Sequence, residues 1–361
     1  MYDYVVVGAG PAGSRFARQA AAAGDDVLVL ERGEVGRPLA CSGHVSTDIW
    51  EYVPDGTRND LLQNEIVGAR FHVGGPGSRY YRFYRDNPIS NVIDRVGLDR
   101  VLAETAVDAG AELRTQHTVT GIETDANRVR VRYQTDGTME TVHGSMVVGC
   151  DGPGSRVRTA LGLAEPAELL TGILGFDQTP DHDDFVDVHL IAPRFFAWRI
   201  PRGDAGVEYG LAAPPHTAPR NRFDQFTTAY GATVGTVCSG AIPIGPPDRV
   251  TGARGLLIGD AAAQTKPFTG GGILYGMRAA DHAAETIEPD HPETLENYEA
   301  AWRADLSREI RFGGLLRRCY SLPAPLQHIG LGLLAGRIGV HMDRPTTFLS
   351  RQHISAMFSR R

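Results

Sequence analysis

Gly8, Gly10 and Gly13 stand in the spacing G-x-G-x-x-G, which can cradle a pyrophosphate. Gly8 permits a tight turn, Gly10 lets the backbone approach the phosphates, and Gly13 lets a helix pack closely on a sheet. The helix N-terminus then turns free N–H groups and a partial positive charge toward the anion, and Pro11 fits its first turn because no N–H is needed there. Glu31 stands where an acid can bind ribose hydroxyls. Beyond it, Cys41 and His44 lie in a loop rich in glycine and proline. The thiol is either a neighbour of the bound cofactor or a small residue packed under the loop. Two ligating side chains without partners do not make a metal site, and none is expected.

The elements that would position these groups follow from periodicity. Residues 4–7 and 27–30 are short apolar runs suited to buried parallel strands, and the alanine-rich run between them, stopped at Gly24, suits a helix. Two later apolar runs end in Cys150-Asp151-Gly152 and Gly259-Asp260-Ala261-Ala262. The glycine triplet Gly270, Gly271 and Gly272 opens a helix at Ile273 and forms a second nest for an anion. Residues 69–73 and 80–84 alternate around Gly74-Gly75-Pro76-Gly77 and read as a hairpin, the start of an inserted antiparallel sheet that resumes at 171–241. Within it, Asp183, Asp184, Asp187 and His189 read as solvated residues on a strand edge. Residues 98–110 form a helix and 119–134 a strand pair. From Pro289 the chain is helical, with Leu295, Tyr298, Trp302, Leu306 and Ile310 at core spacing. The stretch 322–342 is weakly amphipathic, fitting either a membrane surface or buried packing.

Composition narrows the class. An apolar content of 42% and a charged content of 22% describe an ordinary globular chain of 361 residues. A net charge of −7 argues against a nucleic-acid partner. Four scattered cysteines signal neither disulfides nor zinc. With a strand starting at Tyr4, no room is left for a signal peptide, and no apolar run is long enough to span a bilayer. The expectation is a reduced, cytoplasmic protein, either free or peripheral on the inner membrane face.

Taken together, the motifs resemble FAD-dependent enzymes of the p-hydroxybenzoate-hydroxylase fold, and within them the geranylgeranyl reductase family. Gly8-x-Gly10-x-x-Gly13 with Glu31, Cys150-Asp151-Gly152 with Ser155 and Arg158, and Gly259-Asp260-Ala261-Ala262 carry the fold. Pro38-Leu39-Ala40-Cys41-Ser42-Gly43 is similar to the family's cysteine loop, and Phe196-x-Trp198-x-Ile200-Pro201 to its Y-x-W-x-F-P stretch. The resemblance implies an α/β fold: a Rossmann-type FAD-binding domain (1–65, 93–170, 242–288), an interleaved antiparallel substrate sheet (66–92, 171–241) and a helical C-terminal segment (289–361).

It also implies FAD as cofactor, held by Gly8, Gly10, Pro11, Ala12, Gly13, Glu31, Arg32, Ala40, Cys41, Arg95, Asp151, Gly259, Asp260, Gly270, Gly271, Gly272 and Ile273. Cys41 is the catalytic candidate; His44, Phe196, Trp198 and Pro201 are the substrate candidates. The implied reaction is saturation of prenyl double bonds in an isoprenoid lipid, with an electron donor left open among NAD(P)H, ferredoxin or another reductant. A monooxygenase or halogenase of the same fold and a prenyl-lipid carrier are the rival readings. A halogenase needs a pocket lysine across the flavin, whereas the one lysine among 36 Lys and Arg residues, Lys266, follows the Gly-Asp motif.

Overall fold

A computed structural model describes residues 1–39, 41–336 and 343–349. Its first sheet has eight strands, with Tyr2–Val7 at the centre between Thr138–Gly149 and Val27–Leu30. Both central pairings are parallel, with Val5 beside Val147 on one side and Leu28 on the other. These valine and leucine runs are buried, as strands covered on both faces must be. The hairpin expected near 119–134 forms as Thr118–Thr124 and Val129–Thr135 and extends this sheet.

Helix Pro11–Ala23 packs against both Arg95–Asp108 and Ile273–Thr286. Its approach to the central strand is very close. A Cβ on Gly13 would fall 2.0 Å from the Gly8 carbonyl oxygen, and Gly8 itself sits at φ +101°. Only glycine fits either position.

The second sheet has seven strands, in the order Val237–Ile244, Glu168–Asp177, Val207–Ala213, Ala197–Pro201, Phe185–His189, Gly68–His72 and Tyr80–Tyr84. Five of its six neighbouring pairs are antiparallel, but Phe185–His189 and Gly68–His72 run parallel. The reason is topological: the two strands enter the sheet on separate excursions from the first domain, and no hairpin joins them. A third, three-stranded sheet of His44–Ser46, Ser90–Ile93 and Leu62–Ile66 lies at the seam.

One face of the second sheet carries Val186, Val188, Phe196, Ile200 and Ala212. The other carries Ala197, Tyr209 and Leu211 beneath helix Pro219–Tyr230, which adds Phe223 and Phe226. Asp187 and His189 do not lie on a solvated edge. Their strand is interior, and both residues are buried. Arg70 and Arg199 flank Asp187 from the two neighbouring strands. Asp187 accepts hydrogen bonds from Arg70 Nε at 2.7 Å and Arg199 Nη1 at 3.3 Å, and its Oδ1 lies 3.0 Å from His72 Nε2. Asp183 pairs with Arg70, and only Asp184 is exposed as expected. Charge alone suggested water; alternation along an interior strand put these groups inside, with their own counter-ions.

The C-terminal stripe is core, as its spacing predicts: Leu295, Tyr298, Trp302, Leu306 and Ile310 are buried along helix Leu295–Arg317. Helix Ala324–Leu334 follows. Residues 337–342 of the amphipathic stretch lie outside the described residues. No helix among the described residues is long and apolar enough to cross a membrane.

Two outcomes follow from this packing. Gly13→Ala should lower stability by about 1–3 kcal/mol, because overpacking forces the turn and helix apart; chemical denaturation of the variant measures this. His189 is buried beside the stacked ring of His72, and burial lowers its pKa from 6.5 to about 4. The folded value is the lower one, so its stabilising contribution is complete above pH 6.5 and is lost as pH falls toward 4. The melting temperature should drop through that window, and His189→Gln should flatten the drop.

Candidate active site

A cavity of about 600 Å³ runs between the two larger sheets. One end is made by backbone and small residues: Gly10, Pro11 and Ala12 from the first turn, Gly259 and Asp260 from a strand end, and Gly270 to Ile273 from the second nest. The other end is apolar and aromatic, walled by Phe71, Val186, Val188, Phe196, Trp198 and Ile200 from the second sheet. Cys41, His44 and Arg95 also line it. Most of these were singled out in the sequence, the glycine turns, Asp260, Cys41 and His44 from loops and strand ends, and Phe196 and Trp198 from a motif.

Local physics explains each group. Beyond the Cα of Gly10 there is open space, so the turn offers bare backbone to whatever fills that end. Glu31 Oε2 accepts the Ala9 N–H at 2.9 Å and Oε1 the Gly33 N–H at 3.1 Å, which fixes the turn from behind. Gly272 leaves room for Asp260, whose Oδ1 would lie 2.5 Å from a Cβ there. Burial raises the Asp260 carboxyl, and Thr265 Oγ1 donates to it at 3.2 Å, leaving acceptor capacity for a ligand hydroxyl. Thr269 Oγ1 is buried at the cavity with no hydrogen-bond partner among the described residues. Bare backbone, a part-satisfied carboxyl and an orphaned hydroxyl fit a group bearing phosphates, hydroxyls and ring heteroatoms, which FAD supplies.

Burial pushes the Cys41 thiol up, with the Arg95 guanidinium beside it pulling the other way. Arg95 pairs with Asp99 one helical turn on. His44 Nε2 lies 2.8 Å from Ser90 Oγ. Burial, helped by the nearby Lys266 charge, lowers its pKa to about 4, so the ring is neutral at pH 7. Lys266 Nζ is bonded to Asp343 Oδ1 at 2.6 Å, and both side chains are buried. Trp198 donates from Nε1 to Glu208 Oε1 at 2.8 Å.

Several of the residues singled out from the sequence do not face the cavity. Gly8, Gly13 and Glu31 shape the turn from outside the lining, Arg32 is exposed, and Pro201 closes its strand beyond the wall. Asp151 spends its carboxylate on Ser155 Oγ at 2.5 Å and Arg156 N at 2.7 Å, so its neighbours Cys150 and Gly152 line the cavity in its place. Ala40 lies outside the described residues. Sequence reasoning missed Ser90, Lys266 and the C-terminal contribution from Tyr320, Gln327, Leu331 and Leu334. The all-round apolar character of residues 329–334 was the one available signal for the last of these.

The comparisons agree with this geometry. A family model described as an FAD binding domain matches residues 1–227, more than half of the chain. A protein named digeranylgeranylglycerophospholipid reductase 2 from Methanopyrus kandleri is 31% identical over 86% of this chain and 84% of its own length. A digeranylgeranylglycerophospholipid reductase from Methanosarcina acetivorans is 29% identical, over 89% and 85%. Among solved structures, a geranylgeranyl bacteriochlorophyll reductase-like protein from Thermoplasma acidophilum superposes with a TM-score of 0.82 at 23% identity, covering 99% of this chain and 96% of its own. A p-nitrophenol 4-monooxygenase from Pseudomonas putida shares the fold at a TM-score of 0.74 and 17% identity, covering 99% and 98%. The chain is an FAD-dependent oxidoreductase and belongs to the geranylgeranyl reductase family.

Proposed function

We propose that this chain reduces carbon–carbon double bonds in the geranylgeranyl chains of an isoprenoid glycerophospholipid. The observation that carries the reading is the single cavity that joins a cofactor cradle to an aromatic, apolar chamber. Gly10, Pro11 and Ala12 would receive the pyrophosphate and Asp260 with Gly270 to Ile273 the remainder of FAD, while Glu31 holds the first turn in shape from behind. The names of the relatives give the same substrate class.

Reduced FAD supplies a hydride when bound, and the second alkene carbon then needs a proton. Cys41 Sγ is the donor: burial keeps its thiol protonated, and Arg95 lies where it offsets the charge left on sulfur. Phe196 and Trp198 hold the prenyl chain, exclude water and face any developing positive charge with aromatic rings. His44 stays neutral beside Ser90 and orients the chain without placing a cation in the chamber.

The chain would reach this chamber from a lipid surface. Helix Ala324–Leu334 turns Leu331 and Leu334 into the cavity and leaves Ile329 and Leu333 exposed, at 59% and 74%. Two large apolar side chains left this exposed on one helix mark a face that a partner surface covers. Exposed Arg311 and Arg318 precede it in the chain, and residues 311–336 contain no Asp or Glu, which suits an anionic bilayer.

Incubating the dithionite-reduced protein with geranylgeranylated phospholipid should add two hydrogens per reduced bond by mass spectrometry. Cys41→Ser should retain FAD and lose about tenfold or more in rate; an unchanged rate removes the thiol from the mechanism. An oxygenated or halogenated product would favour the rival chemistries. Co-sedimentation with vesicles containing phosphatidylglycerol should weaken about tenfold in Ile329→Ser/Leu333→Ser and fall with added salt. Unchanged sedimentation would exclude this helix as the docking face.

A further inference from the structure

The substrate wall is held by residues that never reach the cavity. Trp198 and Gly210 stand directly opposite each other on paired strands, and Ile200 stands opposite Glu208. Gly210 has no side chain, and a Cβ there would lie 2.0 Å from Trp198 Cε2. The indole therefore lies across bare backbone. Its Nε1–H donates to Glu208 Oε1 at 2.8 Å. Glu208 Oε2 accepts from Arg202 Nη1 at 2.9 Å, and Arg202 Nη2 donates to the Ile93 carbonyl at 3.3 Å. Glu208 is fully buried and Arg202 is 6% exposed.

We propose that Glu208, with Arg202 and Gly210, is a positioning residue that fixes the Trp198 indole as a rigid wall of the prenyl chamber. An ion pair at this depth brings little net stability and is costly to leave half-made. Its geometric product is one orientation of one indole, since the N–H lies in the ring plane and meets the carboxylate only when that edge faces Glu208. Ile93 lies two residues before Arg95, so the same chain of bonds ties the wall to the segment that carries Arg95 beside Cys41. A flexible prenyl chain offers no polar handle, so the face it presents is set by the shape of the wall.

The inference rests on the proposed function, and its test separates the two. In a Trp50→Phe/Trp302→Phe background, Trp198 is the sole tryptophan. There, Glu208→Ala should red-shift its emission and lower its anisotropy. That measurement needs no turnover, so failure of the wild type to reduce any prenyl chain would overturn the proposed function and leave the anchor standing. In the turnover arm, Glu208→Ala should cut kcat by about tenfold or more with a smaller change in KM and unchanged FAD content. In a Trp198→Phe background, which has no N–H to anchor, the same change should cost less than about twofold. Equal losses in both backgrounds, no loss in either, or unchanged Trp198 emission would overturn the proposal. Where Glu208→Ala fails to fold, Arg202→Met/Glu208→Leu removes both charges together and meets the same criteria.

Discussion

Everything in this molecule depends on how closely helix Pro11–Ala23 can approach the end of the central strand. The approach is set by two missing side chains, at Gly8 and Gly13, and by the Cys150 carbonyl, which a Cβ on Gly8 would meet at 2.5 Å. Because the helix sits that low, its first turn presents bare N–H groups to the cavity. Because Cys150 is drawn into the same contact, the third strand end is registered to the first two. Asp260 and the second nest then complete the cradle beside the first helix, where Gly259 lies against Ala12. Close packing here is the means by which loops from four separate parts of the chain come to bound one space.

The cavity has two chemical characters, and the boundary between them follows the boundary between sheets. The parallel sheet contributes strand ends, turns and helix N-termini, which are polar by construction. The second sheet contributes a flat face, whose side chains are apolar because alternate residues face opposite ways. Along one strand, Val186 and Val188 face the chamber while Asp187 and His189 are sealed under helix Pro219–Tyr230. A buried ionic layer thus lies directly behind an apolar wall, one side-chain length away.

The legible parts of this fold were those whose meaning is contained in one element. The glycine turn, the strand-end aspartate at 260, the hairpin at 118–135 and the stripe along helix Leu295–Arg317 all declared themselves by spacing. What was not legible needed a partner from elsewhere in the chain. Whether Asp187 faces water or Arg70 depends on a strand 117 residues away. That Asp151 caps a turn depends on Ser155 and Arg156 folding back, although both lie nearby. Lys266 read as a loop residue and became a buried cation only because Asp343 returns to it across 77 residues. Phe196 and Trp198 were singled out by motif and line the cavity; Glu208, which bonds Trp198, belongs to no motif.

The parallel pair in the second sheet carries a consequence for biosynthesis. Strands Gly68–His72 and Tyr80–Tyr84 form a hairpin early in translation, but their neighbour Phe185–His189 emerges more than a hundred residues later. Until then, one edge of that hairpin and its aromatic side chains stand unpaired on a nascent chain. Long-range pairing of this kind is slow to nucleate, and the chamber wall needs strands from both excursions before it can form. The hairpin is therefore made well before the cofactor cradle, which needs Gly259 to Ile273, can be complete.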